Sequence, residues 1–128
     1  MSSITKHLPI YKTTYALLQL VMRGLKNFSR DLRPTLGNRL LSEVLRLITS
    51  IYRARATTDP RSRAKHLRAI LETIEVVEPL LQLSHDMQLL PRDVYAETVE
   101  LTSSIGRQAG GWLRDAEKDI GDPRLHTG

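Results

Sequence analysis

The chain has 128 residues and a mass of 14.5 kDa, a length at which one domain buries about two thirds of its unfolded surface. It contains no cysteine, which excludes a disulfide framework and a thiolate metal site and is typical of a reducing compartment. The first residues lack the apolar segment of a signal peptide, and no stretch approaches the roughly 18 apolar residues of a membrane span, so we expect a cytoplasmic protein.

A first helix is predicted from about residue 9 to 29. Its core stripe, at alternating three- and four-residue steps, consists of Tyr11, Tyr15, Leu18, Val21, Leu25 and Phe28. Residues 29–37 interrupt the pattern, and Thr35 is the predicted N-cap of a second helix that reaches about Ala56. The predicted core face of this second helix consists of Leu36, Leu40, Val44, Leu47, Ile51 and Ala54. A second stripe widens that face enough for two neighbours and consists of Leu41, Leu45, Ile48 and Tyr52.

A third helix is predicted to begin at Asp59 and Pro60, because Asp accepts from unpaired amides and Pro suits the first helical position. It reaches about Met87, with an inward stripe of Leu67, Ile70, Leu71, Ile74, Val77, Leu81 and Met87. The apolar period continues across Pro79, which predicts a kink rather than a break.

Pro91 marks the start of a fourth helix, whose inward residues are Val94, Tyr95, Thr98, Leu101, Ile105, Ala109 and Trp112. Four helices of about 20 to 28 residues with short connections predict an all-α protein, an antiparallel up-down-up-down four-helix bundle. No strand pattern competes with it. We expect one bundle domain over residues 1–118 and a flexible C-terminal tail over residues 119–128.

Charge is sorted along the sequence. Residues 1–64 carry twelve Lys or Arg and three acids, a net charge of +9, whereas residues 65–128 have a net charge of −4. Fourteen of the nineteen cations are Arg, whose planar guanidinium suits phosphate. The sequence therefore indicates nucleic acid as the first candidate partner.

The candidate phosphate contacts centre on the second predicted helix. Arg39, Arg46 and Arg53 are seven residues apart and form one row on its outside. The row is either a solvated face that pairs with acids of a neighbouring helix or a nucleic-acid surface. Glu43 is the only acid on this helix, so we expect that local pairing does not neutralise the row. The predicted nucleic-acid-binding residues are Arg23, Lys26, Arg30, Arg33, Arg39, Arg46, Arg53, Arg55, Arg61, Arg63 and Arg68.

Acidic rows occupy the third and fourth predicted helices. They consist of Glu72, Glu75 and Glu78 on one helix and Asp93, Glu97 and Glu100 on the other. Metal sites in bundle cores usually add a Glu-x-x-His element, which this chain lacks. We expect a solvated face, or an electrostatic contact with a basic surface of a second subunit. The four histidines have no metal-ligand spacing either, so no catalytic residue, metal or cofactor is predicted.

Two further features have competing interpretations. Arg61 and His66 match the R-x4-H pattern of an all-helical RNase family, a loose match that chance also produces in a chain with fourteen Arg and four His. Gly106, Gly110 and Gly111 lie within the fourth predicted helix, where each costs about 1 kcal/mol relative to Ala. They indicate either close approach of a neighbouring helix beside Trp112 or fraying near the C-terminus.

Several segments resemble one bacterial protein family. They are Leu36-Gly37-Asn38-Arg39-Leu40, Leu67 through Leu71, Leu80-Leu81-Gln82-Leu83 followed by Asp86, and residues 105–113, where Gly-Arg-x-x-Gly-Gly-Trp-Leu is the most specific part. Over about residues 8–117 the chain resembles the accessory variability determinants (Avd), four-helix-bundle accessory proteins of diversity-generating retroelements. The related ribosomal-RNA intervening-sequence four-helix proteins share much of this pattern.

The resemblance implies a homopentamer, a barrel of five bundles with a basic surface. It also implies binding to the retroelement reverse transcriptase and to its template RNA, with DNA or an RNA–DNA hybrid as alternatives, in support of mutagenic cDNA synthesis. The family has no active site of its own, and its motif residues look like packing positions. Two alternatives remain open, an intervening-sequence-type bundle with a structural or unknown role and a helical-bundle RNase using Arg61 and His66.

Overall fold

Helices make up almost all of the chain. The computed structural model describes residues 3–122 and 124, and within them the α-helices are α1 (Ser3–Lys6), α2 (Pro9–Gly24), α3 (Asn38–Ala56), α4 (Pro60–Asp86) and α5 (Arg92–Ile120). A 3₁₀ turn (Leu25–Asn27) and a π-helical turn (Arg33–Gly37) lie between α2 and α3. No strand occurs in this described part of the chain, and none of its helices is long and apolar enough to cross a membrane.

Helices α2 to α5 form the predicted antiparallel four-helix bundle. Each packs against the next in sequence, and α2 closes the bundle by packing against α5. Short connections of three to five residues join α3 to α4 and α4 to α5, which forces those neighbours to run antiparallel. Part of the predicted C-terminal tail is helical, because α5 continues to Ile120; residues 123 and 125–128 lie outside the described residues.

The core lies between all four helices of the bundle, and α2 contributes Ile10, Leu17 and Val21 to it. Its fully buried large side chains include Leu47, Ile51, Leu67, Ile70 and Ile105. All six residues of the predicted core face of the second helix are buried, which confirms that part of the pattern. A smaller cluster of Phe28, Leu36 and Leu89 closes the end of the bundle where α2 meets α3 and α4 meets α5.

The predicted core stripe of the first helix is correct at Val21 and Phe28 and wrong nearer the start of the helix. The buried residues of α2 are Ile10, Thr14, Leu17, Leu20, Val21 and Gly24, whereas Tyr15 is 46% exposed. Thr14 enters the core because its hydroxyl donates to the carbonyl oxygen of Ile10 at 2.8 Å, which satisfies the polar group within the helix. Helix α2 also ends at Gly24, before the predicted residue 29.

The predicted start of α4 is correct, whereas the predicted start of the second helix and the predicted burial of Met87 are wrong. Asp59 caps α4 by accepting from the amides of Arg61 and Ser62 at 3.3 Å each, as predicted, and α4 runs unbroken through Pro79. Thr35 is not an N-cap; it lies within the π-helical turn, and its hydroxyl donates to the carbonyl oxygen of Leu32. Met87 follows the end of α4 and is 43% exposed, so its assignment to the core is also wrong.

Close helix approach occurs at different glycines from those predicted. A Cβ at Gly106 would meet nothing within 4 Å, and at Gly110 or Gly111 only the Arg114 side chain at 3.7 Å. The tight positions are Gly24, where a Cβ would lie 2.7 Å from Cδ2 of Leu90, and Gly37, where it would lie 2.9 Å from Cδ2 of Leu25. The glycines of α5 therefore face open space in the single chain rather than a neighbouring helix.

Gln88 ends α4 in an unusual backbone conformation. Its φ of 64° is left-handed, and within the described residues it is the only non-glycine residue with a positive φ. The amide of Gln88 donates to the carbonyl oxygen of His85, and the amide of Leu89 donates to that of Ser84. This pair of hydrogen bonds is the Schellman motif, whose left-handed position favours glycine.

We expect Gln88→Gly to raise the free energy of unfolding by about 0.5–1 kcal/mol, because glycine relieves the left-handed strain but is more flexible in the unfolded chain. The matched control is Gln82→Gly, an exposed position inside α4, which should lower it by about 1 kcal/mol. Urea unfolding followed by circular dichroism measures both. Destabilisation by both substitutions would contradict the interpretation of Gln88.

Candidate nucleic-acid interface

The predicted phosphate-binding cations fall into two groups at opposite ends of the bundle. The group near the α2–α3 connection consists of Arg23, Lys26, Arg30, Arg33 and Arg39. The group near the α3–α4 connection consists of Arg53, Arg55, Arg61, Arg63 and Arg68. The 19 residues of α3 separate the two ends by about 28 Å, and Arg46 lies between them. The arginines of α3 therefore connect the two basic groups along the length of the bundle.

The arginine row of α3 borders a surface groove between α3 and α4. On the α3 side the groove is lined by Arg39, Ser42, Glu43 and Arg46, and on the α4 side by Ala69, Glu72, Thr73 and Val76. The side chains of Arg39 and Arg46 are 60% and 63% exposed, and Arg53 is also exposed. The predicted outward-facing row is thus present and accessible to a ligand.

Glu43 lies on the inner side of this row. It is only 5% exposed, and its Oε1 accepts from Nε of Arg39 at 3.1 Å and lies 3.9 Å from Nη2 of Arg46. One buried carboxylate is shared by two of the three arginines, so local pairing leaves the row with a net charge of +2. Arg53 has no such partner within the described residues.

Two predicted contacts have a role in the fold. Arg63 is half-buried and donates from Nε to the carbonyl oxygen of Ala54 at 3.0 Å and from Nη2 to that of Thr57. It therefore satisfies carbonyls at the C-terminal end of α3, where a cation also complements the helix dipole. Arg33 makes a longer bond, from Nη2 to the carbonyl oxygen of Phe28 at 3.4 Å.

The acidic rows face solvent in the single chain. All six of their carboxylate residues on α4 and α5 are exposed, and no cluster of three or more His, Asp or Glu in the described residues has the arrangement of a metal site. The ring of His85 stacks on the ring of Tyr95, with centroids 4.5 Å apart, and its Nδ1 lies 3.2 Å from Oδ1 of Asp86.

The R-x4-H pair does not converge. Arg61 is exposed and His66 is half-buried at the start of α4. Residues five apart on an α-helix point about 140° away from each other, so Arg61 and His66 lie on different faces of α4. Within residues 3–122 no hydrogen bond joins them.

An apolar surface on α2 and α3 is a feature that the core assignments missed. Its exposed members are Tyr15, Met22 and Leu45, with 46%, 50% and 45% of their surface accessible. Half-buried side chains connect them along the two helices, namely Tyr11, Leu18, Leu41, Ile48 and Tyr52. The rings of Tyr11 and Tyr52 meet edge to face at 5.7 Å, which shows that the two stripes adjoin. The signal in the sequence was the unusual width of the α3 stripe.

Tyr11 of this apolar α2–α3 face carries no charge at neutral pH. Burial raises the pKa of the Tyr11 hydroxyl, and the neighbouring Tyr52 raises it further. Tyr11 also stacks on Tyr15 at 6.1 Å. The face therefore differs in character from the arginine row on α3.

Comparison with known protein families agrees with the sequence motifs. A family model described as bAvd-like matches residues 8–116. The chain belongs to the bAvd-like family. The matched region covers α2, α3 and α4 completely and ends within α5. No curated protein and no solved structure matches the chain.

In this bAvd-like bundle we expect Arg63→Ala to lower the free energy of unfolding by about 2 kcal/mol, because it leaves two carbonyls at the end of α3 without their charged donor. The matched control is Arg61→Ala, two residues away and exposed, which should change the free energy of unfolding little. Chemical unfolding measures both. Equal effects of the two substitutions would contradict a structural role for Arg63.

Proposed function

We propose that this bAvd-like protein is an accessory protein of a diversity-generating retroelement. In this role it binds the reverse transcriptase and the template RNA and supports mutagenic cDNA synthesis, while the polymerase chemistry belongs to the reverse transcriptase. The family supports the accessory role, and the exposed arginine row of α3 is the observation that carries RNA binding. Such a role would place the protein in the cytoplasm.

The geometry of the row suits a phosphate backbone. Arg39, Arg46 and Arg53 each follow the previous one by seven residues, a rise of about 10.5 Å. The three guanidinium groups thus repeat at a regular interval along one side of α3. Since the guanidinium fork pairs with phosphate oxygens in two places, a row of three arginines favours a strand lying along α3.

We expect the double substitution Arg46→Glu and Arg53→Glu to weaken RNA binding strongly and to make its salt dependence shallower by about two units, because two phosphate contacts are lost. Fluorescence anisotropy with a labelled RNA across a salt series measures both quantities. Circular dichroism should show unchanged helicity.

The matched control for this experiment is Arg107→Glu with Arg114→Glu. These arginines are also exposed and seven residues apart, but they lie on α5. The control makes the same change in net charge, so it should weaken RNA binding much less if α3 is the contact surface. Equal weakening by the two double variants would reject the α3 row as a specific interface.

The proposal includes self-assembly, with five copies as the family resemblance implies. The apolar α2–α3 face supports it, because exposed apolar surface of this kind commonly marks a protein contact. Leu45 and Tyr52 of this face directly precede Arg46 and Arg53, so the two surfaces lie about 100° apart around α3. A strand on the row and a neighbouring subunit on the apolar face would therefore occupy different sides of the helix.

We expect Met22→Glu combined with Leu45→Glu to yield a monomer, because two carboxylates would be buried in the subunit contact. Light scattering should give five times the 14.5 kDa chain mass for the unmodified protein and a single chain mass for the variant. The control is Leu83→Glu with Met87→Glu, two exposed apolar residues at the end of α4 and just after it. A measured mass of one chain for the unmodified protein would refute the assembly.

The proposal assigns no catalysis to the chain. If RNA were degraded during the binding measurements, His66→Ala would decide whether the chain is responsible, since a helical-bundle RNase would lose its activity. Binding to the reverse transcriptase is tested by mixing the two purified proteins and following their elution by size exclusion. Separate elution with and without RNA would leave the accessory role unsupported.

A further inference from the structure

Glu43 is the one buried charged residue among residues 5–122. Several of the other buried polar residues are hydroxyls that donate within their own helix, as Thr73 does to Ala69 and Ser84 does to Leu80. A carboxylate cannot donate to a backbone carbonyl of its own helix in this way, because it only accepts hydrogen bonds, and it loses its hydration on burial. A buried ionised group is therefore retained only with cationic partners, and here these are Arg39 and Arg46.

The two arginines reach the carboxylate from the solvent side. Arg39 uses Nε for its 3.1 Å bond to Oε1, and Arg46 approaches the same oxygen with Nη2. A guanidinium has five N–H donors, so both side chains keep most of their donors for another ligand. Both also remain more than half exposed. The carboxylate thus fixes the inner edge of each guanidinium while the outer edge faces solvent.

We propose that Glu43 is a positioning residue for nucleic acid, which holds Arg39 and Arg46 in the orientation that binds the phosphate backbone. The proposal rests on RNA binding by the α3 row and adds the device that orients it. Arginine loses rotamer freedom when it binds phosphate, a penalty of roughly two- to twelvefold in affinity for each side chain ordered. Side chains that Glu43 has already ordered avoid part of that penalty.

A second effect of Glu43 opposes the first. Its negative charge repels a phosphate that sits beyond the arginines; at about 8 Å this lowers affinity by about twofold at the dielectric constant of water and by about thirtyfold at the effective value near a protein surface. The proposal therefore requires that orientation of the two arginines, at up to about twelvefold each, outweighs this repulsion. Neutralising Glu43 removes the repulsion, which would strengthen RNA binding, and also removes the orientation of the arginines, which would weaken it. A single charge-removing substitution therefore tests the proposal.

The experiment compares Glu43→Gln with Glu72→Gln, using a labelled RNA hairpin and the full-length protein. Both substitutions remove one negative charge from the same groove, but Glu72 is exposed and forms no ion pair within the described residues. We expect Glu43→Gln to weaken RNA binding about fivefold despite the gain in positive charge, with a shallower salt dependence. Glu72→Gln should strengthen binding by up to about twofold.

Stability is followed in parallel, because a purely structural Glu43 would change unfolding without weakening binding by the folded protein. If Glu43→Gln does not fold, Glu43→Asp replaces it; this variant keeps the charge but is one methylene too short to hold both arginines, and it should also weaken binding. Tighter or unchanged binding by the Glu43 variant overturns the proposal. Absence of salt-dependent RNA binding by the unmodified protein overturns RNA binding itself, so the two failures are distinguishable.

Discussion

The packing of α3 between α2 and α4 is the constraint on which the other features depend. Leu47 and Ile51 on α3 and Leu67 and Ile70 on α4 are fully buried in one apolar seam. Because these large side chains are close-packed, neither helix can rotate about its axis without opening a cavity. The rotation of α3 in turn decides which of its remaining residues face α4, solvent or α2.

That single rotation produces two surfaces of different character on α3. On the side of α4 it turns Glu43 inward and leaves Arg39 and Arg46 outside, which gives a charged groove. On the side of α2 it exposes Leu45 next to Tyr15, which gives an apolar face. A bundle in which these two surfaces are separated suits a protein that binds a nucleic acid and copies of itself at once. The proposed function needs both.

The sequence predicted the parts of the structure that depend on local pattern. The four helices, the core face of α3 and the Asp59 cap follow from helical periodicity and from hydrogen bonding between near neighbours, and all were correct. The first turns of α2 were predicted incorrectly, because the buried stripe through Ile10 and Leu17 contains the polar residue Thr14. The hydrogen bond from the Thr14 hydroxyl to the carbonyl oxygen of Ile10 explains how a threonine is accommodated in the core.

The sequence predicted which arginines lie on the outside of α3 but not the partners that these and other arginines have within the fold. The outward row on α3 follows from seven-residue spacing alone, whereas the burial of Glu43 depends on where α4 lies. The structural role of Arg63 likewise depends on carbonyls of a different helix, which no local pattern specifies.

The central claim is that the α3 row of this bAvd-like bundle binds a phosphate backbone. The most direct measurement is the RNA affinity of the unmodified protein as a function of salt concentration. Three arginine–phosphate contacts predict that the logarithm of the association constant falls linearly with the logarithm of salt concentration, with a slope of about −2 to −3 or steeper. A slope near zero, or no binding at low salt, would contradict the account.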